Sequence, residues 1–341
     1  MRPLADNLKI IVATELGGED LDYLSRLLPG WRIQATEDTL DTWQGDADSA
    51  TVLSVMVHSP VRAAEFDRFP NLRLVAARST GYDHIDLSEA KRRNIVVSNV
   101  PAYGSNTVAE HTFALILMLS RKLHQAYQRT LRGQFDLEGL MGVDLAGKTI
   151  GVIGAGKIGL HVIRMARAFG MNVIAADPAE DHNLADLLSF EYAPLPSLLK
   201  RSDVIAVCCP LADSTRGMFN RAAFEQMKPG VIFVNTARGG VVDSGDLLWA
   251  LGEGIVGGAG LDVLEGEALM DEDGLLAGVN QGKESDMRNI AENLILMRHP
   301  NVVVTPHMAF YSREAVNRIL ETTAANIRAF EAGKPTNVVD A

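Results

Sequence analysis

Apolar residues in the first hundred positions come in short runs, LKIIVAT, TVLSVMV, LRLVAAR and NIVVSNV, separated by amphipathic stretches such as EDLDYLSRLL. Runs of this length predict strands and the amphipathic stretches predict helices, in the rhythm of a parallel α/β unit. The pattern changes near Thr107. Thr107 and Glu110 have capping-box spacing, and the apolar stretch after them runs to a basic end at Arg121 and Lys122, which predicts a long helix leaving the first unit. The segment around FDLEGLMGVDLAGKT, with Gly133, Gly139, Gly142 and Gly147, reads as a loop. A second series then begins with TIGVIG, MNVIAAD, VIAVCC, VIFVNT, GGAGLDV and NVVVTPH. These runs are apolar along their whole length, as strands covered on both faces are, and they predict a second doubly wound sheet. SREAVNRILETTAANIRAFEAGKP predicts a last helix with Ser312 as N-cap and Gly333 and Pro335 as its stop, returning to the first unit. The expected organisation is α/β in two doubly wound parallel-sheet domains, residues 1–105 with 309–341 and an inserted domain 106–308.

Composition narrows the function. A chain of 341 residues with 47% apolar content buries two medium cores, and a net charge of -11 without a long basic run argues against a nucleic-acid partner. The only cysteines, Cys208 and Cys209, are adjacent, which suits neither a disulfide framework nor a metal quartet and fits a reducing, cytoplasmic setting. The chain opens with no basic leader, and its most apolar helical stretch, Phe113 to Leu119, is too short to span a bilayer, so no membrane partner is expected.

Gly154, Gly156 and Gly159 form G-x-G-x-x-G between the strand TIGVIG and the helical pattern KIGLHVIRMARAF, the context that a dinucleotide site requires. The first glycine permits a tight turn, the second a close backbone approach to pyrophosphate, and the third close helix-strand packing, with the helix N-terminus facing the phosphates. Asp177 ends the next strand, about twenty residues on, where a carboxylate accepts bonds from ribose hydroxyls and repels a 2′-phosphate. The second domain is thus read as a Rossmann domain for NAD.

Open parallel sheets bind ligands at the carboxyl ends of their strands. Arg238 follows VIFVNTA, Glu267 follows GGAGLDV, and His307 follows NVVVTP. Reduction of a 2-keto acid needs a cation to hold the carboxylate, a proton donor for the developing alkoxide, and a hydride source. Arg238 and His307 supply the first two, and a carboxylate at Glu267 favours the protonated imidazole. Taken singly, each of the three also suits an ordinary structural place.

In GVIGAGKIG, NTARGG, DVLEGE and TPH the chain resembles the D-isomer-specific 2-hydroxyacid dehydrogenases, and the resemblance covers nearly its whole length. The resemblance implies Arg238 as the substrate-binding arginine, His307 as the proton donor and Glu267 as its supporting acid. It also implies that the first domain is flavodoxin-like and binds the substrate, with the active site in a cleft between the domains. STGYDHID, NVPAYGSNTVAEH, FDLEGLMGVDLAGKT, PHMAFYS and the long segment between Glu267 and His307 narrow the likeness to the D-lactate dehydrogenases of that family. From this follow backbone donors to the substrate carboxylate at Thr80 and Gly81, and a small pocket walled by Tyr103 and Phe310. Lys157 and Ile158 are expected at the pyrophosphate, Cys209 and Pro210 at the adenosine, and Thr236, Ala237, Arg238 and Asp262 near the nicotinamide, with Thr215 as a further cofactor contact. The family also implies a homodimer or homotetramer.

Other residues take ordinary readings. His111 and His124 on the long helix and His161 on the fingerprint helix lack metal-ligand spacing, and no metal is expected. Cys208 and Cys209 point to opposite faces of a buried strand. Met165, Met171, Met218 and Met227 serve packing, and the acidic run Asp271 to Asp273 is a solvated loop. The alternatives are a bulkier or phosphorylated 2-keto acid, against which only Arg62 in VMVHSPVRAAE offers a nearby cation, and an NAD-sensing corepressor-like protein.

Overall fold

Short β-branched and aliphatic runs form strands here because both of their faces are covered, which is where period-two alternation gives way to continuous apolar sequence. The computed structural model describes residues 9–267 and 284–339, the side chains of 284–286 apart. The acidic run at Asp271 to Asp273 and the rest of 268–283, the first part of the long segment before His307, lie outside the described residues. The chain divides into two units, Met1–Tyr103 with Tyr311–Ala341, and Gly104–Phe310.

The first unit holds β1 (Ile10–Ala13), β2 (Arg32–Ala35), β3 (Val52–Val55), β4 (Leu74–Ala77) and β5 (Val96–Ser98), all parallel in the order β2-β1-β3-β4-β5. This is the flavodoxin-like order. One face is packed by Leu24 of the helix Gly18–Leu27 and by Leu320, Ala324, Ile327 and Phe330 of the helix Arg313–Glu331. The other is packed by Phe66, Phe69, Leu72 and Ala90. Ser312 caps the last helix by accepting from the Ala315 N–H, 3.2 Å, and Gly333 ends it at φ +74.

The second unit holds β6 (Thr149–Ile153), β7 (Asn172–Ala176), β8 (Glu191–Tyr192), β9 (Val204–Val207), β10 (Val231–Asn235), β11 (Val256–Leu261) and β12 (Val302–Val304). They are parallel in the order β12-β11-β10-β9-β6-β7-β8. The chain runs outward from β6 in one direction and from β9 in the other, so the crevice for a ligand lies between the carboxyl ends of β6 and β9. Side chains alternate between two cores. Ile205, Val207 and Cys209 join Phe219, Phe224 and Phe233 on one face, while Val204 and Ala206, with Cys208 beside them, join Phe113, Ile116 and Val162 on the other.

Two expectations about helices are corrected. The long helix spans Ser105–Ser120 with Gly104 as N-cap, so Thr107 is a buried residue of its first turns and the capping-box reading fails. The helix starts two residues before Thr107, and Glu110 accepts instead from Asn106 Nδ2 at 3.3 Å. His124 is not on this helix. Lys122 adopts a left-handed conformation, φ +51, which breaks the chain direction and starts a separate helix, Leu123–Leu131. Among the described residues no helix is long and apolar enough to cross a membrane.

Candidate active site

The glycine turn after β6 shows why each glycine is needed. Gly154 sits at φ +93, in the left-handed region that favours glycine, and a Cβ there would lie 2.9 Å from the Cys209 nitrogen, against the end of β9. A Cβ on Gly159 would run into the Gly154 carbonyl oxygen, so the helix Lys157–Ala168 packs this closely on β6 only with glycine in place. A Cβ on Gly156, the N-cap, would meet no atom within 4 Å, which leaves an open face above the helix N-terminus. The exposed Lys157 and half-buried Ile158 begin the helix beside that face. This cradle fits a pyrophosphate approached by backbone N–H groups.

Asp177, just past β7, accepts from the Ala155 N–H through Oδ2 and from the Ala179 N–H through Oδ1, both at 2.8 Å. These bonds fix the carboxylate beside the glycine turn and leave it lone pairs for ribose hydroxyls. Beyond β9, Thr215 braces its own loop: Oγ1 donates to the Pro210 carbonyl, 2.7 Å, and accepts from the Ala212 N–H, 2.8 Å. Burial pushes the Cys209 thiol up to about 11 and the Cys208 thiol to about 12, so both are neutral walls and not nucleophiles at neutral pH.

Arg238, Glu267 and His307 come from the carboxyl ends of neighbouring strands β10, β11 and β12. Glu267 Oε1 is 2.7 Å from His307 Nδ1, and its Oε2 accepts from the Leu264 N–H at 3.1 Å. An ionised carboxylate only accepts, so Nδ1 carries a proton and Nε2 is the nitrogen left for chemistry. Arg238 follows a turn built by Asn235, whose Oδ1 accepts from the Ala237 N–H and whose Nδ2 donates to the Arg238 carbonyl, each at 3.0 Å. Its Nη1 donates to the Ala237 carbonyl at 2.8 Å. Gly239 is what lets the β10 and β11 loops touch, because a Cβ there would collide with the Leu264 carbonyl.

His307 itself has φ +49, a left-handed conformation that costs a residue with a Cβ roughly 1 kcal/mol or more. Asp262 holds the turn in place. Its carbonyl accepts from the His307 N–H, 2.9 Å, and its carboxylate accepts from the Met308 and Ala309 N–H groups, each 2.9 Å, and from Thr305 Oγ1, 2.6 Å. Burial drives the Asp262 carboxyl upward, but the bonds from His111, Thr305 and Ala309 outweigh it and hold it below the usual carboxylate value. The carboxylate expected beside the nicotinamide is therefore buried and committed to the His307 turn.

In the first unit, Thr80 Oγ1 donates to the Val100 carbonyl, 2.7 Å, and Asn99 Nδ2 donates to the Thr80 carbonyl, 2.8 Å. Ser79 Oγ donates to the Gly81 carbonyl, 2.6 Å, so side-chain hydrogen bonds tie the Ser79–Gly81 loop both to itself and to the Asn99–Val100 segment. Beneath it the wholly buried Arg78 donates to Ser54 and to the carbonyls of Thr14 and Glu15, and burial pulls its guanidinium down to about 10. Tyr103 is half-buried, with its carbonyl accepting from Arg318 Nε at 2.5 Å. Phe310 belongs to the second unit, with its Cβ 4.0 Å from where a Gly104 Cβ would stand. Sequence reasoning gave no role to Asn235, Gly239 or Thr305 and read His111 as an ordinary histidine. Gly239 and Thr305 stand next to Arg238 and two residues before His307, and adjacency alone could have raised them.

A family model described as D-isomer specific 2-hydroxyacid dehydrogenase, NAD binding domain, matches residues 113–309. The chain is 40% identical over 264 residues to a D-lactate dehydrogenase of Escherichia coli K12, covering 77% of each chain. It is 33% identical over 337 residues to a glyoxylate reductase of Korarchaeum cryptofilum, covering 93% of this chain and 95% of that one. Among solved structures, D-lactate dehydrogenase from Aquifex aeolicus, complexed with NAD and lactic acid, matches with a TM-score of 0.84 at 34% identity, over 95% of this chain and 96% of the other. With a family model spanning more than half its length and a relative at 40% identity over 77% of both chains, this chain belongs to the NAD-binding D-isomer-specific 2-hydroxyacid dehydrogenases and is an oxidoreductase.

Proposed function

We propose that the protein is a D-lactate dehydrogenase that reduces pyruvate to D-lactate. The observation that carries this reading is the His307–Glu267 pair, 2.7 Å apart, on strand ends next to the one bearing Arg238. The Arg238 guanidinium anchors the substrate carboxylate with a planar two-donor fork and polarises the adjacent carbonyl. His307 gives its Nε2 proton to the oxygen that becomes the alkoxide, and is left as the neutral ring with its Nδ1 proton held by Glu267. NADH, when bound, supplies the hydride that adds to the keto carbon.

Gly154, Gly156, Lys157, Ile158 and Gly159 are read as the pyrophosphate cradle, Asp177 as the ribose acceptor that selects NAD over NADP, and Cys209, Pro210 and Thr215 as the adenosine side. Thr236, Ala237 and Asp262 border the nicotinamide in this reading. Thr80 and Gly81 are assigned to the substrate carboxylate and Tyr103 and Phe310 to the methyl group, on the family likeness stated above. The same likeness supports a cytoplasmic homodimer or homotetramer. The D-lactate dehydrogenases among the relatives support the pyruvate reading, and the glyoxylate reductase among them makes glyoxylate the acid to test beside it.

Initial rates of NADH oxidation across pyruvate, 2-ketobutyrate, phenylpyruvate, glyoxylate and 3-phosphohydroxypyruvate test the assignment. Pyruvate is expected to give the highest kcat/KM. A preference for another acid would keep the mechanism and replace the substrate, and NADH binding without turnover of any of them would favour a corepressor-like role.

A further inference from the structure

The helix Ser105–Ser120 lies close against β11 because that strand is built from VGGAGL. A Cβ on Gly260 would come 3.0 Å from the Leu115 Cβ, and one on Gly258 would come 3.2 Å from the Leu119 side chain. The later turns of the helix are thereby seated over the body of β11, and its earlier turns reach the carboxyl ends of the strands. Two consecutive residues of those turns make side-chain hydrogen bonds there, and each goes to a different loop of the site.

His111 Nε2 lies 3.0 Å from Thr305 Oγ1 and 3.4 Å from Asp262 Oδ1. Thr305 spends its hydroxyl proton on Asp262, 2.6 Å away, so its oxygen accepts from His111, and His111 carries its proton on Nε2. The relay His111 to Thr305 to Asp262 ends on the carboxylate that fixes the left-handed turn at His307. Thr112, wholly buried, donates through Oγ1 to the Val108 carbonyl, 2.8 Å, and accepts from Thr236 Oγ1, 2.8 Å. Thr236 stands two residues before Arg238 and is itself buried. Neither His111 nor Thr112 is at the end of a strand.

We propose that His111 and Thr112 are positioning residues, His111 setting the His307 turn and Thr112 setting the Thr236–Arg238 loop, so that one helix holds the proton donor and the substrate anchor in register. The proposal rests on the roles assigned above to His307 and Arg238. A shift of about 1 Å in a reacting group costs on the order of a hundredfold in rate, and the two contacts govern different groups. His111→Leu is therefore expected to lower kcat about tenfold to a hundredfold while leaving the KM for the 2-keto acid within threefold. Thr112→Val, which keeps the shape and removes the hydroxyl, is expected to raise that KM severalfold with a smaller loss of kcat. His111→Gln, whose Nε2 can donate to Thr305 as the imidazole does, is expected to recover most of the lost kcat.

A role confined to stability would lower thermal resistance in both variants without splitting the constants between them. Steady-state kinetics of the full chain with NADH and pyruvate, beside melting curves, decides between these. A kcat of His111→Leu within twofold of the wild type, or the same fall in kcat and rise in KM for both variants, would overturn the proposal. Nitrogen-15 spectra of the histidine-labelled full chain supply a readout independent of the reaction, with His307→Gln identifying the His307 signals. Those signals are expected to move in His111→Leu and stay in Thr112→Val. Should the wild type reduce none of the 2-keto acids, the reaction assigned above fails, and unmoved His307 signals in His111→Leu would sink the positioning proposal separately.

Discussion

Replacing Gly239 by alanine adds one methyl group at the place where the Arg238 loop crosses the segment leading to Glu267. The new Cβ would collide with the Leu264 carbonyl and lie 2.6 Å from the Glu265 nitrogen, where ordinary contact needs about 3.5 Å. All of these are backbone atoms, so relief requires one loop to move by about 1 Å and cannot come from a side chain turning away. Leu264 is tied to Glu267 through its N–H to Oε2, 3.1 Å, and Arg238 is the residue before Gly239, so the shift separates the anchor from the acid-histidine pair whichever loop yields. Overpacking of this kind costs about 1–3 kcal/mol, which for a unit of this size lowers Tm by roughly 3–10 °C. The misplacement lowers kcat/KM by on the order of a hundredfold. Melting curves and steady-state rates of the full chain measure both. Gly252→Ala is the control, since a Cβ there meets nothing within 4 Å, and it should melt with the wild type or slightly above it. A Gly239→Ala protein that matches the wild type in Tm and kcat/KM would refute the claim that this contact registers the two loops.

His307→Gln should lower kcat by about a hundredfold to ten-thousandfold, the usual worth of a positioned acid, while fluorescence titration finds NADH affinity little changed; unaltered turnover would remove His307 from the mechanism. Arg238→Lys should act mainly on the KM for the 2-keto acid, because a point charge cannot reproduce a planar fork, and an unchanged KM would count against that role. Asp262→Asn should destabilise the protein at pH 7. The Asp262 carboxyl is held below its usual value in the folded chain, so its contribution is full above the unfolded value near about 4 and is lost as the pH falls through the folded value. The gap in urea midpoint between variant and wild type should therefore be steady from pH 7 to about 5 and narrow only below about 4; a gap that widens on acidification would reverse the assigned sign.

The parts of the fold visible in the sequence are those whose signal is contiguous. Gly154, Gly156 and Gly159 stand between a strand and a helix and occupy the turn expected of them. The strands with both faces covered were evident as apolar runs, whereas β2, read as RIQA, and β8, read as EY, are partly exposed edge strands with too few apolar residues to be noticed. Capping-box spacing at Thr107 and Glu110 misled because Gly104 caps the helix and Thr107 is packed inside it. The left-handed Lys122 that separates His124 from the long helix leaves no mark in composition. His111 shows the deeper limit. Its partner Thr305 is 194 residues away, and only the packing of VGGAGL against Leu115 and Leu119 brings the two together. Spacing rules read neighbours along the chain, and this contact is created by the sheet.

The most direct test of the account is the configuration of the product. Pyruvate and NADH are incubated with the purified full chain, and the lactate formed is resolved by chiral chromatography. The account predicts D-lactate in step with NADH consumption. L-lactate, or no lactate from a protein that binds NADH, would contradict it.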